Sequence, residues 1–244
     1  VAESRRLVPN DDISGADRVV WDQTASSPAP SPAAVLWDMD GTLVDTEPYW
    51  IATEFELAAE YDAHWSEALA LQLVGNDLLT SGRFIQQQMG LALTPEEIVE
   101  RLLDGVVARL AESVPWRPGA RELLADLRAA GVPCALVTMS YERFAAPIVA
   151  ALPPGSFQTV VTGDRVEHGK PHPEPYLTAA AELGVDPSRC LAIEDSDTGC
   201  RSAEAAGCTV LTVPNHVPVP GGGRRVVRSS LLGLSADRLG ALVL

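Results

Sequence analysis

Long apolar runs are absent from this chain. No stretch approaches the roughly 20 residues that a membrane-spanning helix needs. The first residues mix Asp, Glu, Arg and Pro without the apolar centre of a secretory signal, so the expected location is the cytoplasm and no membrane partner is expected. Cysteine is scarce: Cys134, Cys190, Cys200 and Cys208 form no Cys-x-x-Cys pair, and three of them open apolar, strand-like runs. Buried free thiols are expected there, not a disulfide or a zinc site. Bases are scarce too, 18 Lys and Arg against 33 Asp and Glu, for a net charge of −15. That balance opposes broad attraction to nucleic acid or anionic lipid, and a phosphorylated ligand would need a local positive site. The one basic cluster, Arg224, Arg225 and Arg228 behind Gly221-Gly222-Gly223, reads as a solvated loop.

What the chain does have is ample apolar content, 46% of 244 residues, enough for one large domain or two smaller ones. Residues 1–33 carry scattered charge and a Ser-Ser-Pro-Ala-Pro-Ser-Pro-Ala stretch, and are expected to form a disordered lead-in. At Val35 an apolar run begins that ends in Asp38-Met39-Asp40-Gly41. Residues 48–116 then lack strand alternation. Thr94-Pro95-Glu96-Glu97 within them is a helix start, with Pro at the first helical position and acids in the first turn. From Arg117 onward helix and strand alternate: a helix stopped by Gly131, a strand over 132–138, a helix over 141–152 and a short strand over 157–162. A helix over 174–183, a strand over 190–193, a helix over 197–206 and a last clear strand over 208–213 follow. The pattern predicts an α/β fold, a doubly wound and mainly parallel Rossmann-like sheet, formed by 34–47 and 117–244 and interrupted by a helical cap over 48–116. A cleft is expected at their junction, near Asp38 and Asp40.

Polar residues recur where the strands end, and in a parallel sheet such ends share one edge. The first strand delivers Asp38 and Asp40, which alternation puts on one side of the chain; the second delivers Thr138 and Ser140; a later one delivers Glu194 and Asp195. Lys170 precedes a helix in Gly169-Lys170-Pro171-His172-Pro173. Two unit charges about 4 Å apart repel by roughly 4 kcal/mol at an effective dielectric of 20, so four carboxylates at one edge call for a cation. All-oxygen ligands without His or Cys at metal spacing favour Mg²⁺.

Asp38-Met39-Asp40-Gly41-Thr42, Thr138 after an apolar strand, Gly169-Lys170-Pro171, and Glu194-Asp195-Ser196 followed by Gly199 together resemble the four ordered motifs of the haloacid dehalogenase superfamily. Helical material between the first two motifs is similar to the capped subgroup that includes phosphoglycolate phosphatase and β-phosphoglucomutase. The resemblance implies a Mg²⁺-dependent phosphatase acting on a small phosphomonoester, a sugar phosphate or similar metabolite, through an aspartyl phosphate. It implies that Asp38 attacks phosphorus, that Asp40 protonates the leaving oxygen and then takes a proton from water, and that Thr138 and Lys170 complete the catalytic set. Thr138, Lys170, Ser140 and the amides around Met39, Gly41 and Met139 would bind the phosphoryl group. The metal would be held by Asp38, the backbone carbonyl of Asp40, Asp195 and Glu194.

Other polar residues read more plainly. His168 and His172 are expected at the surface, Asp197 as a helix cap or solvated acid, and Asp45 as structural support. Glu47 is divided between hinge and substrate contact. Gly75-Asn76-Asp77 either turns between helices or gates substrate, and Arg83 is expected on a solvated face. A mutase of the β-phosphoglucomutase type is the nearest alternative, weakened by Trp50 and Leu78 where the resemblance expects a histidine and, nearby, an arginine. A phosphorylation-relay receiver or a non-catalytic scaffold is the alternative from another class. The long insertion and the second acid at Asp40 argue against the receiver. A monomer or weak homo-oligomer is expected.

Overall fold

The computed structural model describes residues 31–73 and 77–242. Nearly all of the expected lead-in therefore lies outside the described residues, as do Gly75 and Asn76 of the expected gate.

Six strands, β1 (Ala34–Trp37), β2 (Cys134–Val137), β3 (Thr159–Val161), β4 (Cys190–Glu194), β5 (Thr209–Thr212) and β6 (Arg225–Val227), form one sheet in the order β3-β2-β1-β4-β5-β6. Every pairing is parallel. All four residues of β1 are buried, which matches a central strand covered on both faces. Strict alternation decides which face each residue serves. Val35 and Trp37 join a core with Leu123, Leu127 and Phe144 on one side, while Ala34 and Leu36 join Tyr176, Ala179 and Ala203 on the other. The doubly wound sheet is thus as the sequence predicts.

The chain runs outward through β1, β2 and β3, returns to β4 on the other flank of β1, and continues through β5 to β6. Its direction of winding reverses between β1 and β4, where an open α/β sheet leaves a crevice at the carboxyl ends. Trp37 pairs with Leu136 on one neighbour and Ile193 on the other, so the residues that follow all three emerge at one edge.

Four helices, α1 (Glu47–Glu60), α2 (Glu67–Ala70), α3 (Leu78–Met89) and α4 (Pro95–Glu112), lie between β1 and α5 (Ala120–Ala129). Thr94 and Glu97 start α4 with a reciprocal capping box. The helix has two apolar faces. Ile98 and Leu102 pack with Leu57, Trp65 and Ile85 among the inserted helices, whereas Val99, Leu103 and Val106 belong to the core against the sheet. The last inserted helix is therefore shared between the two cores. The later helices are α6 (Glu142–Ala150), α7 (Glu174–Leu183), α8 (Asp197–Ala205) and α9 (Ala236–Gly240).

One expectation fails. The arginine cluster is not a solvated loop: Arg225 opens β6, its side chain is only 8% exposed, and it bridges Asp197 at 2.6 Å and Glu204 at 2.8 Å. Three glycines followed by charge carry no strand signal, and β6 forms because β5 offers a pairing edge and α8 two carboxylates. Asp197 likewise is partnered by Arg225, beyond a simple helix-start role. The four cysteines are free and buried, as expected.

Candidate active site

β1 ends at Trp37, and the chain turns through Gly41 at φ +85°, a left-handed conformation that favours glycine. A Cβ there would also stand 2.0 Å from Asp195 Oδ2 and displace that carboxylate. The same holds at Gly199 beside Glu194, whose carboxylate would lie 1.9 Å from an added Cβ. Two glycines thus let loop and helix backbone press against two carboxylates.

Lys170 is the centre of this edge. Its ammonium, on a side chain 5% exposed, donates to Asp38 Oδ1 at 2.7 Å, to Glu194 Oε1 at 2.6 Å and to the Val137 carbonyl at 2.9 Å. Burial alone would lower its pKa, yet the two carboxylates hold it above the ordinary lysine value. Glu194 is fully buried and heavily engaged: Tyr176 Oη also donates to Oε1 at 2.6 Å, and Ser196 Oγ to Oε2 at 3.1 Å.

Asp38 and Asp40, two residues apart, are held differently. Asp38 uses Oδ1 on Lys170 and leaves Oδ2 buried without a partner. Burial, reinforced by Glu194 and opposed by Lys170, pushes its pKa up to about 7. Asp40 receives Thr46 Oγ1 on Oδ1 at 2.6 Å and Ser140 Oγ on Oδ2 at 2.7 Å. Burial raises its pKa also, while those hydroxyls and Lys170 restrain the rise. Thr138 is buried and accepts the Ser140 amide at 3.0 Å; Met139 Sδ accepts the Lys170 amide at 3.2 Å.

Ligand atoms of Asp38, Glu194 and Asp195 lie within 4.8 Å of one another. Burial and the neighbouring Asp38 push Asp195 up to about 9. The close grouping of the Asp38 and Asp195 carboxylates and an all-oxygen donor set suit a hard divalent cation such as Mg²⁺. Glu194 is the least available of the three, because both its oxygens already accept hydrogen bonds.

All the residues singled out at the strand ends converge. Asp38, Asp40, Gly41, Thr138, Met139, Ser140, Lys170 and Asp195 line one cavity of about 500 Å³, with Glu194 sealed behind Lys170. Asp45 and Thr46, the inserted helices, the start of α8 and the loop over 215–219 form the rest of its wall. Asp45, in that wall, accepts Asn215 Nδ2 at 3.2 Å and His216 Nε2 at 3.1 Å. Glu47 also lines the cavity, and burial pushes it up to about 7. Asp77 caps α3 by accepting the Thr80 amide at 2.9 Å. Arg83 is exposed and outside the cavity, and His168 and His172 are exposed as expected.

Sequence reasoning missed Thr46, Tyr176 and Glu54. Thr46 carries the bond that holds Asp40, but a threonine before a helix start gives no catalytic signal. Tyr176 reads as an ordinary core aromatic. Glu54 reads as a helix-forming acid, yet it is 4% exposed, lines the cavity, and accepts Trp65 Nε1 at 3.1 Å on Oε2.

The haloacid dehalogenase-like hydrolase family matches residues 32–207. Hexitol phosphatase B of Escherichia coli (strain K12) is 30% identical over 188 residues, 74% of this chain and 83% of the relative. N-acetylmuramic acid 6-phosphate phosphatase of Pseudomonas aeruginosa is 38% identical over 187 residues, 74% and 80% of the two chains. Among solved structures, CbbY from Rhodobacter sphaeroides in complex with xylulose-(1,5)bisphosphate superposes with a TM-score of 0.73 at 26% identity, over 83% of this chain and 96% of that one. With four ordered motifs meeting in one cavity and a family match across most of the chain, this protein belongs to the haloacid dehalogenase-like hydrolases.

Proposed function

We propose that the protein hydrolyses a small phosphomonoester by a Mg²⁺-dependent route through an aspartyl phosphate on Asp38. It is a phosphoric monoester hydrolase, and its relatives' action on hexitol and N-acetylmuramic acid phosphates supports small phosphorylated metabolites as its substrates. The observation that carries the mechanism is the unequal treatment of the two acids: Asp38 keeps one oxygen free, while Asp40 is clasped by two hydroxyls.

Asp38 Oδ2 is the free nucleophilic oxygen, and Lys170 on Oδ1 orients the carboxylate and offsets charge as the phosphoryl group arrives. Asp40, with a pKa raised by burial, delivers a proton to the leaving oxygen and then takes one from the attacking water. Thr46 and Ser140 hold it in place for both transfers. The hydroxyl of Thr138 and the amides around Met39, Gly41 and Met139 serve the phosphoryl oxygens. Asp38, Asp195 and the Asp40 carbonyl would hold Mg²⁺, with Glu194 contributing through its link to Lys170. When bound, the ion supplies positive charge against the phosphoryl oxygens. Trp50 and Leu78 place apolar surface in the cavity wall, which supports transfer to water over migration to a second hydroxyl.

The test is Asp38→Asn assayed with Mg²⁺ against a panel of phosphorylated metabolites. Turnover is expected to vanish while the thermal transition persists, and acid-trapped wild-type protein should carry hydroxylamine-sensitive phosphate. Full turnover by the variant would refute the nucleophile assignment.

A further inference from the structure

Beyond the phosphoryl site, the cavity is built almost without positive charge. Its described lining outside the catalytic edge includes Asp45, Glu47, Glu54 and Asp77, and also Asp197, whose charge Arg225 offsets. Against these stand one ammonium, Lys170, already shared by Asp38 and Glu194, and the imidazole of His216, already on Asp45.

Glu54 is distinct within this wall. It stands on α1 in the wall of a cavity that Leu73, Leu78 and Leu102 also line. Trp65 holds Oε2, and among the described residues none donates to Oε1, which is open to the cavity although the residue is only 4% exposed. A carboxylate oxygen free to accept, on a residue otherwise held in place at a cavity wall, favours a ligand group that donates to it. Among the described wall residues outside the catalytic edge there is no lysine or arginine to clamp a second phosphate or a carboxylate, and Arg83 lies outside the cavity.

Resting on the phosphatase reading above, we propose that Glu54 determines specificity. It accepts a hydrogen bond from a hydroxyl or ammonium on the leaving-group portion of the substrate, and the acidic wall rejects phosphomonoesters that carry a second anion. The substrate is thus a neutral or amino-bearing, hydroxylated monoester.

Three six-carbon probes of matched length test this: sorbitol 6-phosphate, glucosamine 6-phosphate and 6-phosphogluconate, assayed with excess Mg²⁺ at pH 8, with p-nitrophenyl phosphate as a general reporter. Wild-type kcat/KM for 6-phosphogluconate is expected about 100-fold below that for the other two, comparable to losses seen when buried polar groups meet the wrong partner. In Glu54→Gln, which keeps an acceptor for Trp65 and removes the charge, that gap should narrow about tenfold, or about 1.4 kcal/mol, chiefly through KM. Thermal unfolding of the variant verifies its fold. Equal use of all three probes by the wild type, no use of either favoured probe, or an unchanged gap in the folded variant would overturn the inference alone, provided p-nitrophenyl phosphate is hydrolysed. Failure to hydrolyse any of the four esters would overturn the phosphatase reading itself, and this inference with it.

Discussion

Replacing Lys170 with methionine removes the only ammonium between two buried carboxylates. The contacts at 2.7 and 2.6 Å correspond to roughly 6 kcal/mol of attraction each at an effective dielectric of 20, much of it offset by the cost of burying three charges. Breaking a buried pair by deleting one partner costs about 3–5 kcal/mol, because the other charge stays behind. For a chain of this size that lowers Tm by about 6–20 °C. The stranded Asp38 carboxylate can escape by taking up a proton, so the loss has a defined pH dependence. Burial already raises the folded-state pKa of Asp38 above its unfolded value, and loss of the ammonium that restrains that rise raises it further. Such a group favours the folded state only at low pH and loses that contribution as pH rises through the folded value. Lys170→Met in EDTA should therefore be nearly as stable as wild type near pH 4 and fall progressively behind toward pH 8. Thermal unfolding followed by circular dichroism across that range measures it. A deficit that is constant with pH, or below about 1 kcal/mol at pH 8, would refute the placement of Lys170 as the counter-charge of a buried acid pair.

The metal-free wild type should also lose stability as pH rises from the unfolded aspartate value near 4 through about 7 and about 9, where Asp38 and Asp195 ionise, and Mg²⁺ should raise Tm more at pH 8 than at pH 6. A Mg²⁺ shift independent of pH would contradict the carboxylate site. Thr46→Val should lower kcat about three- to tenfold, and more for esters with poor leaving groups, because Asp40 loses one of its two hydroxyl partners. A leaving-group-independent loss would remove Asp40 from proton transfer. Gly199→Ala should destabilise the fold by about 3 kcal/mol or more, since the added methyl meets a Glu194 carboxylate held by three donors. Urea unfolding measures this, and a change under 1 kcal/mol would show that Glu194 is free to move. Arg225→Ala should cost about 1–2 kcal/mol by the same measurement, as Asp197 and Glu204 lose a nearly buried partner; no change would mark β6 as dispensable.

Much of this architecture was legible in local pattern. Gly131, Gly184 and Gly207 punctuate the helices that precede β2, β4 and β5, and each takes a positive φ in the structure. The burial of β1 on both faces follows from an unbroken apolar run. β6 was not legible, because three residues behind a triple glycine carry no alternation and their pairing comes from β5. The shared role of α4 was equally hidden, since two apolar stripes on one helix do not say which core each one meets.

By itself the sequence determined the inventory at the catalytic edge: two acids after one strand, a threonine after the next, a lysine ahead of a helix and an acid pair after a third. Chain order and strand ends carry that information, because a parallel sheet gathers every such end on one side. Only the tertiary structure decided how these groups divide their work. Lys170 reaches Asp38 across 132 positions of chain, Ser140 reaches Asp40 across 100, and Glu54 looks into the cavity from a helix of the insertion. Those relations depend on distance, burial and hydrogen-bond direction, which arise when separate segments pack and which no local run of residues encodes.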